Sequence, residues 1–155
     1  MATHPTTQVL LAILENQVSR TEAAFDGLTD EMLPTEPGGD CNSILRIGRH
    51  LIGLRRFQLS LLGSADASEV ADPKSMDSLG QLLPALDQAA ALVRDAIRAH
   101  DPDDWFAQPD APREGPWGDE PTIHRLIRPL NDFTNHLGAV RAIRRMFDCA
   151  AERTQ

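Results

Sequence analysis

The chain has 155 residues, 41% of them hydrophobic and 25% charged, with a formal net charge of −8 and a pI near 5.0. That length suits one domain over residues 1–155 with its own core and no disulfide staple. The acidic balance excludes a general nucleic-acid binder, and no apolar run is long enough to span a bilayer.

Tyr is absent and β-branched residues are sparse, while Leu, Ala and Arg abound. This favours helix over strand, so the expected fold class is all-α. Near the start, "VLLAIL" has no basic segment before it and stops at Glu15, which does not make a secretory signal. Neither Cys41 nor Cys149 lies in a CxxC pair. Both features fit a reducing cytoplasm.

The periodicity predicts a first helix from about Thr7 to Phe25, with Leu10, Leu14, Val18 and Phe25 inward and Thr6 or Thr7 as cap. His4 precedes it, in a terminus expected to fray. "GLTDEMLPTEPGG" breaks the helix, with room for one short turn at "TDEM". A second helix is predicted over Asn42 to Leu62, capped by Asp40 or Asn42 and ended by Gly63. Its inward row is Ile47, Leu51, Leu54 and Leu61. His50 falls on a neighbouring row with Ile47, Leu54 and Phe57, so its ring is expected to be buried.

A polar crossover, "SADASEVADPKSMD", leads to a third helix from about Ser78 to His100, with Pro84 near its start, where a missing N–H costs least. Then comes "DPDDWFAQPDAPREGPWGDEP", a long proline-rich loop whose Trp105, Phe106 and Trp117 are candidates to pin it over the bundle end. The fourth helix, Glu120 to Ala150, carries Ile123, Leu126, Leu130, Phe133, Leu137, Val140 and Phe147 in a near-heptad row. Pro129 is expected to weaken or kink it. Four such helices predict a four-helix bundle. Arginines crowd the second and fourth helices (Arg46, Arg49, Arg55, Arg56; Arg125, Arg128, Arg141, Arg144, Arg145), and most read as solvated faces.

Within "NDFTNHLGAVRAIRRM", Asp132 and His136 stand four apart, with Cβ atoms about 5–6 Å from each other on a helix. Both can reach one metal ion, and catalytic zinc takes three protein ligands plus an open position. Packed helix axes lie about 8–10 Å apart, so His50 on a facing helix can supply the third bond. Spacing alone also admits blander readings: a surface hydrogen-bonded pair, and a satisfied core histidine. His100 ends a helix, and His124 lies three turns before His136, facing water or lining a pocket. A diiron site is excluded by the lack of any ExxH.

The motifs "NSILRIGRHLIGL" and "DFTNHLGAVRAIRRM", separated by a polar crossover, resemble the DinB/YfiT-like superfamily from about Thr7 to Phe147. The resemblance implies a four-helix bundle, a homodimer, and a metal held by His50, Asp132 and His136. Many members carry His where Asp132 stands; a subset similar to thiol-dependent maleylpyruvate isomerases carries a carboxylate. The frequent "HRGQ" after the last ligand is "HLGA" here, keeping Gly138 for a close helix approach but losing an Arg and a Gln.

Two imidazoles and one carboxylate suit zinc first, with nickel or iron compatible. Relatives that look like bacillithiol or mycothiol S-transferases imply a low-molecular-weight thiol as co-substrate. The expected function is therefore metal-dependent chemistry on a small electrophile, by thiol transfer, hydrolysis or isomerisation. Arg46 and Arg128, one turn before His50 and Asp132 respectively, are candidates to fork a substrate carboxylate. No protein nucleophile is assigned; Cys41 is expected to be a semi-buried thiol. The competing expectation is a non-catalytic dimeric bundle that binds or interacts, with the three side chains as a polar network.

Overall fold

A computed structural model describes residues 4–38, 41–109 and 117–152. Four α-helices carry the fold, with no strand among the described residues: α1 (Pro5–Phe25), α2 (Ile44–Leu61), α3 (Leu79–Ala99) and α4 (Thr122–Glu152). α2 packs against α3 and α4, and α1 packs against the same two, so α1 and α2 face each other across the diagonal. The chain crosses that diagonal after α1, turns to an adjacent helix after α2, and crosses again after α3.

The helix starts differ from expectation in instructive ways. α1 begins at Pro5 because proline fixes the helical φ and has no N–H to leave unbonded. His4, not a threonine, is the cap, its Nδ1 accepting the Thr6 N–H at 3.3 Å. Thr7 is buried and its hydroxyl accepts the Trp105 indole N–H at 3.3 Å. In α2 the cap is Ser43, whose hydroxyl accepts the Arg46 N–H at 3.3 Å. Asn42 precedes the cap, and Asp40 lies outside the described residues. Leu33 in the first crossover accepts the Leu45 N–H at 2.9 Å, satisfying another free donor of that first turn.

α2 ends as the glycine signal implies. Gly63 has φ +69°, Ser64 N–H reaches Leu59 O at 3.0 Å and Gly63 N–H reaches Ser60 O at 3.1 Å, a Schellman closure. "TDEM" forms a 3-10 turn at Asp30–Met32, and its Asp30 carboxylate accepts the Leu79 N–H at 2.7 Å. An anion at the head of α3 is favoured by the helix dipole, and it ties the first crossover to the third helix. The crossover before α3 is not wholly polar in effect, since Val70 and Met76 are buried in the core.

The core joins Leu10, Leu14 and Phe25 of α1 to Leu51 and Ile52 of α2, Leu82, Leu86 and Val93 of α3, and Leu126, Phe133 and Leu137 of α4. Gly48 permits the tightest contact: a Cβ there would sit 3.1 Å from a Leu82 methyl. Of the three loop aromatics only Trp105 is buried, against the His100 ring at 4.1 Å, and its carbonyl accepts the Ile123 N–H at the start of α4. Phe106 is 62% exposed, on the wall of an apolar groove rather than in the core. α4 runs through Pro129 as a single helix. No helix among the described residues is long and apolar enough to cross a membrane.

One arginine departs from the solvated-face reading. Arg55 is 1% exposed at the centre of the bundle. It donates to Gln17 Oε1 across the diagonal and to Gln58 Oε1, each at 2.9 Å, and its guanidinium lies 3.9 Å over the Phe133 ring. No carboxylate is bonded to it among the described residues. Burial, and secondarily the charge of Arg94, push its pKa down to about 9, still cationic at neutral pH.

Candidate metal centre

His50 lies in the second turn of α2, and Asp132 and His136 occupy successive turns of α4. Since α2 and α4 are packed neighbours, the three side chains converge on the groove between them. His50 Nε2 is 3.3 Å from Asp132 Oδ2, and His136 Nε2 is 3.4 Å from Asp132 Oδ1. The imidazoles meet edge to face, with centroids 4.5 Å apart and planes at 76°. One ligand atom from each of the three residues can be chosen so that all lie within 4.8 Å of one another.

The donor set fits a divalent cation. Two ligand atoms at about 2.0–2.1 Å from a tetrahedral ion lie about 3.3–3.4 Å apart, the separation of each imidazole Nε2 from its nearer Asp132 oxygen, Oδ2 for His50 and Oδ1 for His136. Small side-chain rotations would bring the third atom in. The acid and the two bases are also chemically right, because neutral imidazole and carboxylate are both ligands for zinc, nickel and iron.

His50 corrects one expectation. Its side chain is 48% exposed, not buried, and Asp132 and His136 are 46% and 27% exposed. The centre is a solvent-reachable notch on the rim of the α2–α4 seam, where an incoming molecule has access. The helical row was right, but the row marks the edge of the buried arc.

The two candidate substrate arginines separate. Arg46 is exposed, forms no ion pair among the described residues, and lies one turn from His50, away from the groove described next. Arg128 does face that groove, but its Nη2 is bonded to Glu120 Oε1 at 2.6 Å and its guanidinium stacks 4.3 Å over the Trp117 ring. Leu54, Phe57, Trp117, Arg128, Pro129 and Asp132 enclose a cavity of about 240 Å³ one turn along from the histidines. Leu54 and Phe57 stand four and seven residues after His50, and Pro129 three before Asp132, so their presence beside the centre follows from helix spacing. Trp117 lies in the loop, where periodicity places nothing, and Glu120, expected as the first residue of the fourth helix, stands two residues before α4 begins at Thr122.

Two other expectations, for Gly138 and Cys41, are corrected here. Gly138 has open space at its Cβ position, so it serves no close helix approach. Cys41 is exposed rather than semi-buried, and neither it nor Cys149 joins the three-residue cluster. His124 is exposed and lines a separate apolar groove with Val9, Ile13 and Ile127.

None of the curated proteins compared matches the chain. The sequence profile of the DinB superfamily matches residues 13–136, a span that contains His50 and Asp132 and ends on His136. With the helical bundle described above, that match establishes that the chain belongs to the DinB superfamily.

Proposed function

We propose that this protein is a metal-dependent enzyme that holds one divalent cation, zinc by preference, on His50, Asp132 and His136. A cation bound there would lower the pKa of water or of a low-molecular-weight thiol toward neutrality, supplying a nucleophile for a small electrophilic substrate. Asp132 offers one oxygen to each imidazole Nε2, so a single carboxylate holds both rings beside the site. Hydrolysis, isomerisation and thiol S-transfer are the reaction classes this permits. The single observation that carries the reading is the convergence of three ligand atoms within 4.8 Å on an accessible notch beside a cavity.

A second reading keeps the bundle without the chemistry, as a cytoplasmic dimerising or binding module. It is favoured by the apolar groove of about 400 Å³ lined by Val9, Ile13, Phe106 and Ile127, whose side chains are 37–62% exposed. The hydrogen-bonded His50–Asp132–His136 cluster would then be a polar network.

Metal analysis of protein purified without nickel affinity chromatography separates the two. Near one metal per chain, lost in His50→Ala and in His136→Ala, supports the metalloprotein, and turnover of model electrophiles with a panel of thiols then tests catalysis. No metal, with a melting temperature indifferent to chelator, supports the module.

A further inference from the structure

We propose that the cavity beside the candidate metal centre is a subsite for the flat, uncharged body of a small substrate, and that Glu120 sets this preference by neutralising Arg128. The inference rests on the metal reading for the position of the substrate's reacting end and adds what the remainder of that molecule must be.

Size is the first argument. A cavity of about 150 Å³ accommodates benzene, so about 240 Å³ takes one ring with a modest substituent. The second is the chemistry of the wall. Leu54, Phe57, Trp117 and Pro129 present apolar and aromatic surface, and Asp132 marks the end nearest the metal centre. The remaining wall residue is Arg128, which by itself would invite a carboxylate or phosphate.

Its charge is already balanced. Glu120 Oε1 accepts from Arg128 Nη2 at 2.6 Å, and Glu120 Oε2 is buried without a protein partner. An anionic substituent brought to this end would meet a guanidinium already paired and a second carboxylate beside it. Like charges held close with little water between them repel, so the pair discriminates against anions.

Trp117 supplies the third argument. It is the only residue other than glycine with positive φ among the described residues, at +58°. For a bulky side chain that conformation costs about 1–2 kcal/mol, and it persists only where the surroundings enforce it. Arg128 does so by lying 4.3 Å over the indole, while Glu120 N–H donates to Trp117 O at 3.0 Å. Glu120, Arg128 and Trp117 therefore form one unit whose result is to hold an indole ring at the cavity wall.

Hydroxamates provide the test, because they grip a metal at one end and can carry a ring at the other. The zinc-loaded full-length protein is titrated calorimetrically with acetohydroxamate, para-methylbenzohydroxamate and para-carboxybenzohydroxamate. The methyl probe should bind at least ten-fold more tightly than the carboxylate probe. Glu120→Gln should shrink that ratio below three-fold by strengthening the carboxylate probe, and Trp117→Ala should abolish most of the gain of the methyl probe over acetohydroxamate. Circular dichroism and zinc content establish that each variant is folded and loaded, and Glu120→Ala, which should shrink the ratio in the same way, stands in if Glu120→Gln does not fold. Equal or tighter binding of the carboxylate probe by the wild type overturns the proposal, as does an aromatic ring that adds nothing to acetohydroxamate. Failure of zinc and acetohydroxamate to bind overturns the metal centre itself, and the subsite with it.

Discussion

Two polar clusters sit on the same seam of the bundle, barely a turn apart, and they obey opposite rules. Arg55, with Gln17 and Gln58, lies at the centre, with every member below 2% exposure. His50, with Asp132 and His136, lies at the rim, between 27% and 48% exposed. The inner cluster holds a cation with neutral oxygens and an aromatic face; the outer one holds two bases around a carboxylate. In the dry cluster the guanidinium leans on the two glutamine oxygens, which water cannot replace there, although Arg55 Nε and Gln58 Nε2 have no hydrogen-bond partner among the described residues. At the rim water can satisfy what the neighbours do not, which leaves ligand atoms free to be taken by something else. Polarity at the centre specifies how α1, α2 and α4 fit together, and polarity at the rim is available for chemistry.

The two are mechanically connected. Gln17 Nε2 donates to Leu130 O at 2.6 Å, and the Arg55 guanidinium rests on Phe133. Both contacts fall on the α4 segment that carries Asp132, so the inner cluster fixes the face of α4 that the outer one uses.

The contrast is broken most severely from the inside. Gln17→Met together with Gln58→Met strips the buried cation of both acceptors, and by analogy with broken buried ion pairs should cost about 3–5 kcal/mol in urea denaturation of the metal-free protein. Adding Arg55→Met removes the stranded charge and should recover most of that loss, since a well-packed apolar cluster is no worse than a buried ionic one. A triple variant as unstable as the double would show that the guanidinium contributes through packing rather than charge.

The rim responds to a different lever. His136→Ala should change the stability of the metal-free protein by no more than about 0.5 kcal/mol, as expected for a partly exposed site. With zinc at a hundred times its dissociation constant, the wild type should gain about 2.7 kcal/mol, or roughly 5–10 °C in melting temperature, and His136→Ala should gain none of it. Calorimetric melts with and without zinc measure both numbers. A variant that is strongly destabilised without metal would move this cluster into the structural class with Arg55.

These two clusters also show what the sequence could and could not convey. The four helices and their inward rows are legible because apolar spacing carries them. Depth is not. At about 100° per residue, Arg55 lies about 80° from Ile47 toward Ile44 and Leu59, inside the buried arc, while His50 lies about 60° from Ile47 on the other side, at its edge. The arc is wide because α2 is covered by both α3 and α4, and the sequence of α2 does not contain its neighbours. Reading a narrow row of leucines therefore buries the histidine and exposes the arginine, the reverse of what is found. The spacing of Asp132 and His136 survives because it is local to one helix, and their meeting with His50 needed only that α2 and α4 be adjacent. The caps failed for a local reason, since several polar residues competed for each helix start. The pairing of Glu120 with Arg128 joins a loop to a helix, and no period encodes it.

The smallest effect concerns the outer skin of the same charge system. Glu15 on α1 accepts a forked pair of bonds from Arg94 on α3, at 2.6 and 3.1 Å, and the Arg94 hydrogen bond holds the Glu15 pKa below its usual 4.5. A carboxylate whose folded pKa is depressed contributes stability above its unfolded pKa and loses it as pH falls through the folded value. Glu15 is half exposed, so the pair is worth at most about 1 kcal/mol. Its two halves are unequal, however, because the Arg94 charge also bears on Arg55. Glu15→Gln leaves two cations facing each other through the bundle, whereas Arg94→Gln removes one of them. The first substitution should therefore cost more than the second at pH 7, and the cost of Glu15→Gln should fade as pH drops below 4.5 through the depressed folded pKa, where protonating Glu15 in the wild type does the work of the mutation. Equal costs at pH 7 in urea titrations would mean that water screens Arg94 from the core, and that the inner cation is balanced by Gln17, Gln58 and Phe133 without regard to the charge outside.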